Sequence, residues 1–121
     1  MAQTVYERIG GFSAVRRIVS DLYDRLCENE RLAQHFHGIS MPQLIDHQTK
    51  FVSSLLGGPA SITDEQLERA HKRLNLGDGD FEEMIAVFRE VLEDADLPKG
   101  DVDHVEHEMR KRKPYVVSRR A

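Results

Sequence analysis

The stretch Ser13-Ala14-Val15-Arg16-Arg17-Ile18-Val19-Ser20-Asp21-Leu22-Tyr23-Asp24-Arg25-Leu26-Cys27-Glu28-Asn29 decides the fold. Val15, Ile18, Val19, Leu22, Tyr23 and Leu26 recur at spacings of three and four, which places them in one stripe along a helix. Ser13 is the expected cap, with Gly10-Gly11 breaking the chain before it. The same period of about 3.6 residues governs the rest of the chain, and alternating runs are scarce, so the fold class is all-α.

Working outward, a short helical piece is expected from Arg31 to Phe36, ending at Gly38. Ser40 is the expected cap of a helix from Met41 to Leu56, with Pro42 in its first turn and an inward stripe of Met41, Leu44, Ile45, Gln48, Val52 and Leu55. Gly57-Gly58-Pro59 stops it. Thr63 and Gln66 form a capping-box pattern for a helix reaching Leu74, with Leu67, Ala70, His71 and Leu74 on one face. Asp78 or Asp80 starts a helix burying Phe81, Met84, Ile85, Phe88, Val91 and Leu92, which closes before Pro98. A last helix, about Gly100 to Lys113, has only the thin stripe Val102, Val105 and Met109; Pro114 breaks it or restarts a turn, and the last residues are expected to be loosely held.

The length of 121 residues fits one domain, 1–121, and excludes a multidomain enzyme. With 40% hydrophobic and 31% charged residues the chain should pack a core. Seventeen Lys plus Arg against 21 Asp plus Glu give a net charge of −4, which argues against a nucleic-acid partner, with Arg110 to Lys113, Arg119 and Arg120 as a local basic exception. Cys27 alone can form no internal disulfide and no leader pattern is visible, so a reducing cytoplasm is expected. No apolar run is long enough to span a membrane.

His71 stands on the apolar face of a short helix. A neutral imidazole there can bind a metal through one nitrogen while the other donates to a carbonyl, although on spacing alone a satisfied core or boundary histidine is the favoured reading. A lone histidine is a poor zinc site, whereas haem iron needs only one protein ligand. Gln48 interrupts an apolar stripe and Tyr23 lies in the inward stripe of the earlier helix; two such donors suit a dioxygen molecule carrying partial negative charge, or else satisfy each other in the core. His47 lies about 100° round the helix from Gln48 and can serve as a second axial ligand, meet a haem propionate, or face solvent. His35, His37, His104 and His107 read as surface residues, and the acidic pairs Glu82-Glu83 and Glu106/Glu108 as solvated faces. No phosphate-binding glycine loop, GxSxG elbow or CxxC motif supports hydrolase or nucleotide chemistry.

Val5-Tyr6-Glu7-Arg8-Ile9-Gly10-Gly11, Leu22-Tyr23-Asp24-Arg25-Leu26, His35-Phe36, His47-Gln48-Thr49-Lys50-Phe51, Leu56-Gly57-Gly58-Pro59 and Ala70-His71-Lys72-Arg73-Leu74 together, in this order, resemble the truncated haemoglobins, closest to their first group, over about residues 4–98. The resemblance implies a two-over-two helical sandwich around haem b. It implies that His71 is the proximal iron ligand, that Phe36 packs on the haem face, and that Tyr23 and Gln48 stabilise the bound gas. Leu44 takes the position where other globins often carry a distal histidine. Phe51, Phe81 and Met84, together with Leu74, would complete the pocket. His47 matches a position that in some members binds iron when no external ligand is present. The charged segment 100–121 departs from the family, and covalent attachment through His107 is not expected.

The function so implied is reversible binding of dioxygen, with nitric oxide and carbon monoxide as further gas ligands, and oxidation of nitric oxide to nitrate supported by an unidentified external reductase. The alternatives are a bis-histidyl haem carrier of electrons or redox or gas sensor, and a cofactor-free helical interaction module.

Overall fold

Residues 3–59, 63–72 and 76–117 are described by a computed structural model, and among them every regular element is helical. In chain order these are α1 (Val5–Ile9), α2 (Phe12–Glu28), a 3₁₀ turn (Ala33–Phe36), α3 (Met41–Leu55), α4 (Asp64–Lys72), α5 (Asp78–Asp94), α6 (Lys99–Lys111) and α7 (Lys113–Val116).

Five residues cannot hold a helix in water unaided, and α1 exists because both of its ends are tied. Thr4 Oγ1 accepts from the Glu7 amide at 3.1 Å while Glu7 Oε1 accepts from the Thr4 amide at 3.1 Å. Tyr6 N–H then donates to the Leu56 carbonyl at 3.0 Å, fastening α1 to the end of α3. Gly58 makes room for this contact: a Cβ there would come within 2.7 Å of the Tyr6 ring. The Gly57-Gly58 pair is therefore a seat for α1 as well as a helix stop.

In α2 the expected stripe is the observed one, with Ala14, Val15, Ile18, Val19, Leu22, Tyr23 and Leu26 buried. Its cap is not Ser13. The helix begins at Phe12 behind Gly11, whose φ of +79° only glycine adopts without strain, and no side chain caps it. The reversal out of α1 leads straight into the first turn, so Ser13 already lies inside the helix.

Helices α2 and α3 pack together, α5 pairs with α6, and α2 also crosses α5, which is the two-over-two sandwich. Arg16 meets Asp46 across the first pair. Across the second, Arg89 binds Asp103 at 2.9 Å and Glu106 at 2.7 Å, and Arg110 binds Glu82 at 2.8 Å. These ion pairs are largely solvent-exposed and set register more than they stabilise.

At Pro114 the chain restarts a helical turn, one of the two outcomes expected there. Pro114 sits in the first turn of α7, where its missing N–H leaves no bond unmade, and Val116 and Val117 behind it are buried. Lys113 lies 5.5 Å from the Phe81 ring centroid and 3.3 Å from Asp78, tying α7 to the start of α5. Residues 118–121 fall outside the described residues. The buried side chains form one large cluster and a small one, Phe81, Ile85 and Val117, with Met109 touching both.

Candidate cofactor site

The site begins at α4. Thr63 and Gln66 cap it reciprocally, at 3.0 and 3.1 Å, as the sequence predicts. Leu67 and His71, one turn apart, are both buried. His71 Nδ1 lies 2.9 Å from the Leu67 carbonyl oxygen. A carbonyl only accepts, so Nδ1 carries the proton and donates, and the lone pair of the neutral ring is at Nε2. Burial lowers the pKa of His71, outweighing the opposing pull of the Leu67 carbonyl, so the ring is kept neutral. Leu74, the fourth residue of the predicted face, lies outside the described residues.

His71 lines a cavity of about 530 Å³, part of it continuous with solvent. Leu22, Tyr23 and Leu26 contribute from α2; Gln48, Phe51 and Val52 from α3; Phe81, Met84 and Phe88 from α5; Met109 and Val116 from α6 and α7. The cavity thus runs along the divide between the two core clusters, taking wall residues from both. Its walls are largely apolar, as befits a site for an apolar cofactor. His71 is the one histidine among the described residues that lines it.

Tyr23 and Gln48 are the other polar groups in this wall, 7% and 6% exposed. Neither side chain hydrogen-bonds to the other or to any of the described residues, so the self-satisfied Tyr–Gln pair that spacing allows does not form. Burial, reinforced by nearby Cys27, pushes the Tyr23 hydroxyl far above the usual phenol range. It therefore stays protonated and able to donate at any physiological pH. The Phe36 ring meets the Tyr23 ring edge-on, with centroids 5.7 Å apart and planes at 87°.

The structure distributes the remaining predicted site residues unevenly. Tyr23, Gln48, Phe51, His71, Phe81 and Met84 come together around one cavity. Phe36 is buried behind the wall, against Tyr23, and Leu44 is half-buried against the core; neither lines the cavity. His47 is exposed on α3 and also stands outside it. Leu22, Leu26, Val52, Phe88 and Met109, which periodicity marks only as core, and Val116 from the C-terminal stretch are further wall residues. Their periodicity marks burial without distinguishing packed core from cavity wall.

His35 corrects the surface reading. Its side chain is 8% exposed and its Nε2 lies 3.3 Å from Asp80 Oδ2. Asp80 is itself buried, with Oδ2 accepting from the Gly77 amide at 2.9 Å and Oδ1 from Arg31 Nε at 2.9 Å. Burial alone would raise the Asp80 pKa, but the Gly77 amide, Arg31 and His35 together hold it below the ordinary carboxylate value. His104 and His107 are exposed, as expected.

The sequence profile of the bacterial-like globin family matches residues 4–117. A group 1 truncated hemoglobin of Tetrahymena pyriformis is 34% identical over 83 residues, 69% of each chain. The group 1 truncated hemoglobin GlbN of Mycolicibacterium paratuberculosis is 28% identical over 102 residues, 84% of this chain and 75% of that one. Among solved structures, the Fe(III) form of the Tetrahymena pyriformis truncated hemoglobin superposes with a TM-score of 0.85 at 25% identity, covering 97% of this chain and all of the other. The chain belongs to the bacterial-like globin family, haem proteins that carry haem b and bind diatomic gases. The residues present fit that group: a buried neutral imidazole with its lone pair at Nε2 opens on an apolar cavity in which two further polar side chains have no protein partner among the described residues.

Proposed function

We propose that this globin binds dioxygen reversibly and converts nitric oxide to nitrate; His71 would hold the haem iron, and Tyr23 and Gln48 would donate to the gas. The observation that carries the reading is the convergence of these three side chains on one apolar cavity. When bound, haem supplies a ferrous centre that takes a diatomic gas and shifts negative charge onto it.

Each residue then has a definite task. The Leu67 carbonyl fixes the tautomer and ring orientation of His71, so that Nε2 is presented for coordination. Tyr23, held protonated by burial, and the Gln48 amide donate to the charged end of the gas. Phe51, Phe81 and Met84, with Leu22, Leu26 and Val52, keep water from the site, which opposes loss of the gas as superoxide. Phe36 and Leu44 support this wall from behind. Conversion of nitric oxide plus dioxygen to nitrate takes up one electron per turnover, which a reductase returns. Carbon monoxide competes for the same place. The reading treats the chain as one domain at work in a reducing cytoplasm.

Tyr23→Phe tests the donor assignment. The variant should lose dioxygen about tenfold faster in stopped-flow mixing, the equivalent of about 1.4 kcal/mol, as expected for one hydrogen bond to a charged group. An unchanged rate removes Tyr23 from the role.

A further inference from the structure

The loop between α2 and α3 is fastened to the start of α5 by polar contacts, centred on the buried Asp80, that nothing in the gas-binding reading uses. Asn29 Oδ1 accepts from the amides of Arg31 and Leu32 at 3.0 and 3.2 Å, and its Nδ2 donates to Glu83 Oε1 at 3.3 Å. Two residues on, Arg31 Nε binds Asp80 Oδ1, and its guanidinium lies directly over Gly79, where any Cβ would displace it. His35 closes the set on Asp80 Oδ2 at 3.3 Å. Asp80 therefore holds three things with one carboxylate: the first turn of α5, through the Gly77 amide, and two points on the loop.

What the loop carries gives these contacts their meaning. His35 is followed by Phe36, whose ring edge meets the Tyr23 ring, and Asp80 is followed by Phe81, which lines the cavity. Within a 3₁₀ turn only four residues long, fixing the imidazole of His35 fixes the backbone that aims Phe36. Tyr23 has no hydrogen bond to the described residues to hold its hydroxyl, so packing, including the edge-on Phe36 ring, limits where it can point.

We propose that the His35–Asp80 pair is a positioning device for Tyr23: it sets the Phe36 ring against the Tyr23 ring and thereby the aim of the Tyr23 hydroxyl into the cavity. The proposal rests on the reading of Tyr23 as a donor to bound gas, and deepens it. His35 and Asp80 touch neither gas nor haem in this scheme; they act through the aromatic pair.

The test measures dioxygen dissociation for His35→Leu and His35→Gln, each made in the wild-type and the Tyr23→Phe chain, together with proton NMR cross-peaks between the Phe36 and Tyr23 rings in the carbonyl form. His35→Leu should speed dissociation about three- to tenfold and weaken the cross-peaks, and His35→Gln, which keeps a donor near Asp80, should restore both to within about twofold. In the Tyr23→Phe chain the His35→Leu effect should vanish, which a general loosening of the fold would not produce. Should His35→Leu not fold, His35→Met, which keeps the bulk and lacks a donor, carries the same expectation. A dissociation rate unmoved by His35→Leu, or moved equally in both backgrounds, overturns the positioning role while leaving the donor reading intact. A rate unmoved by Tyr23→Phe itself sinks the donor reading, and the positioning role with it.

Discussion

Asp80 and Tyr23 are buried to nearly the same degree, 2% and 7% exposed, yet they are buried in opposite ways. The Asp80 carboxylate is well partnered: a backbone amide and a guanidinium donate to its two oxygens at 2.9 Å, and an imidazole lies 3.3 Å away. The Tyr23 hydroxyl and the Gln48 amide are enclosed by hydrocarbon on the protein side and border a cavity on the other. A polar group taken out of water must find partners or lose free energy. Where the protein supplies them all, the group serves the fold; where it leaves them to be supplied, the group faces a ligand.

Three substitutions probe that contrast. The largest effect belongs to Asp80→Ala, which strips a buried amide, Arg31 and His35 of their shared partner and should lower the stability of the chain by about 2–4 kcal/mol in urea titrations. Tyr23→Phe, in contrast, should leave that stability within about 0.5 kcal/mol while speeding loss of dioxygen, because no protein partner is removed. If Tyr23→Phe unfolded the chain as readily as Asp80→Ala, the two kinds of burial would not differ as described.

The contrast also has a pH dependence with a definite sign. The Asp80 pKa is lowered in the folded state, so its contribution is complete above the ordinary aspartate value of 3.8 and is lost as pH falls through the lower folded value. The stability difference between wild type and Asp80→Ala should therefore be full at neutral pH and shrink on acidification below that value. A difference that grew there would reverse the assignment.

The smallest expected effect is at His47. Exposed on α3 and absent from the cavity wall, it should leave the visible spectra of the ferric and ferrous haem protein unchanged when replaced by alanine. A change from six- to five-coordinate spectra in His47→Ala would mean that α3 rotates to bring His47 inward, and would restore the bis-histidyl alternative.

Much of this was legible in the residue order because the helices carry wide stripes with firm stops. The α2 stripe and the Thr63–Gln66 box fall where periodicity and capping put them. So do Tyr23 and Gln48 as buried polar anomalies and His71 on an inward face. What escaped the sequence depends on contacts between distant segments. His35 looks like a loop histidine until Asp80, 45 positions on, is folded against it. Met109 and Val116 belong to a charged, thinly striped stretch, and only the packing of α7 brings them to the cavity. Two glycines with positive φ start α2 two residues ahead of a Ser13 cap, whereas the Thr4–Glu7 box is a local signal for α1.

The central claim is that the imidazole of His71 grips haem iron through Nε2, and resonance Raman spectroscopy of the ferrous protein with and without His71→Ala measures it most directly. The wild-type chain should show an iron–imidazole stretching band that the variant lacks, and added free imidazole should restore axial coordination. A variant that takes up haem with the same band, undiminished and without added imidazole, would contradict the claim.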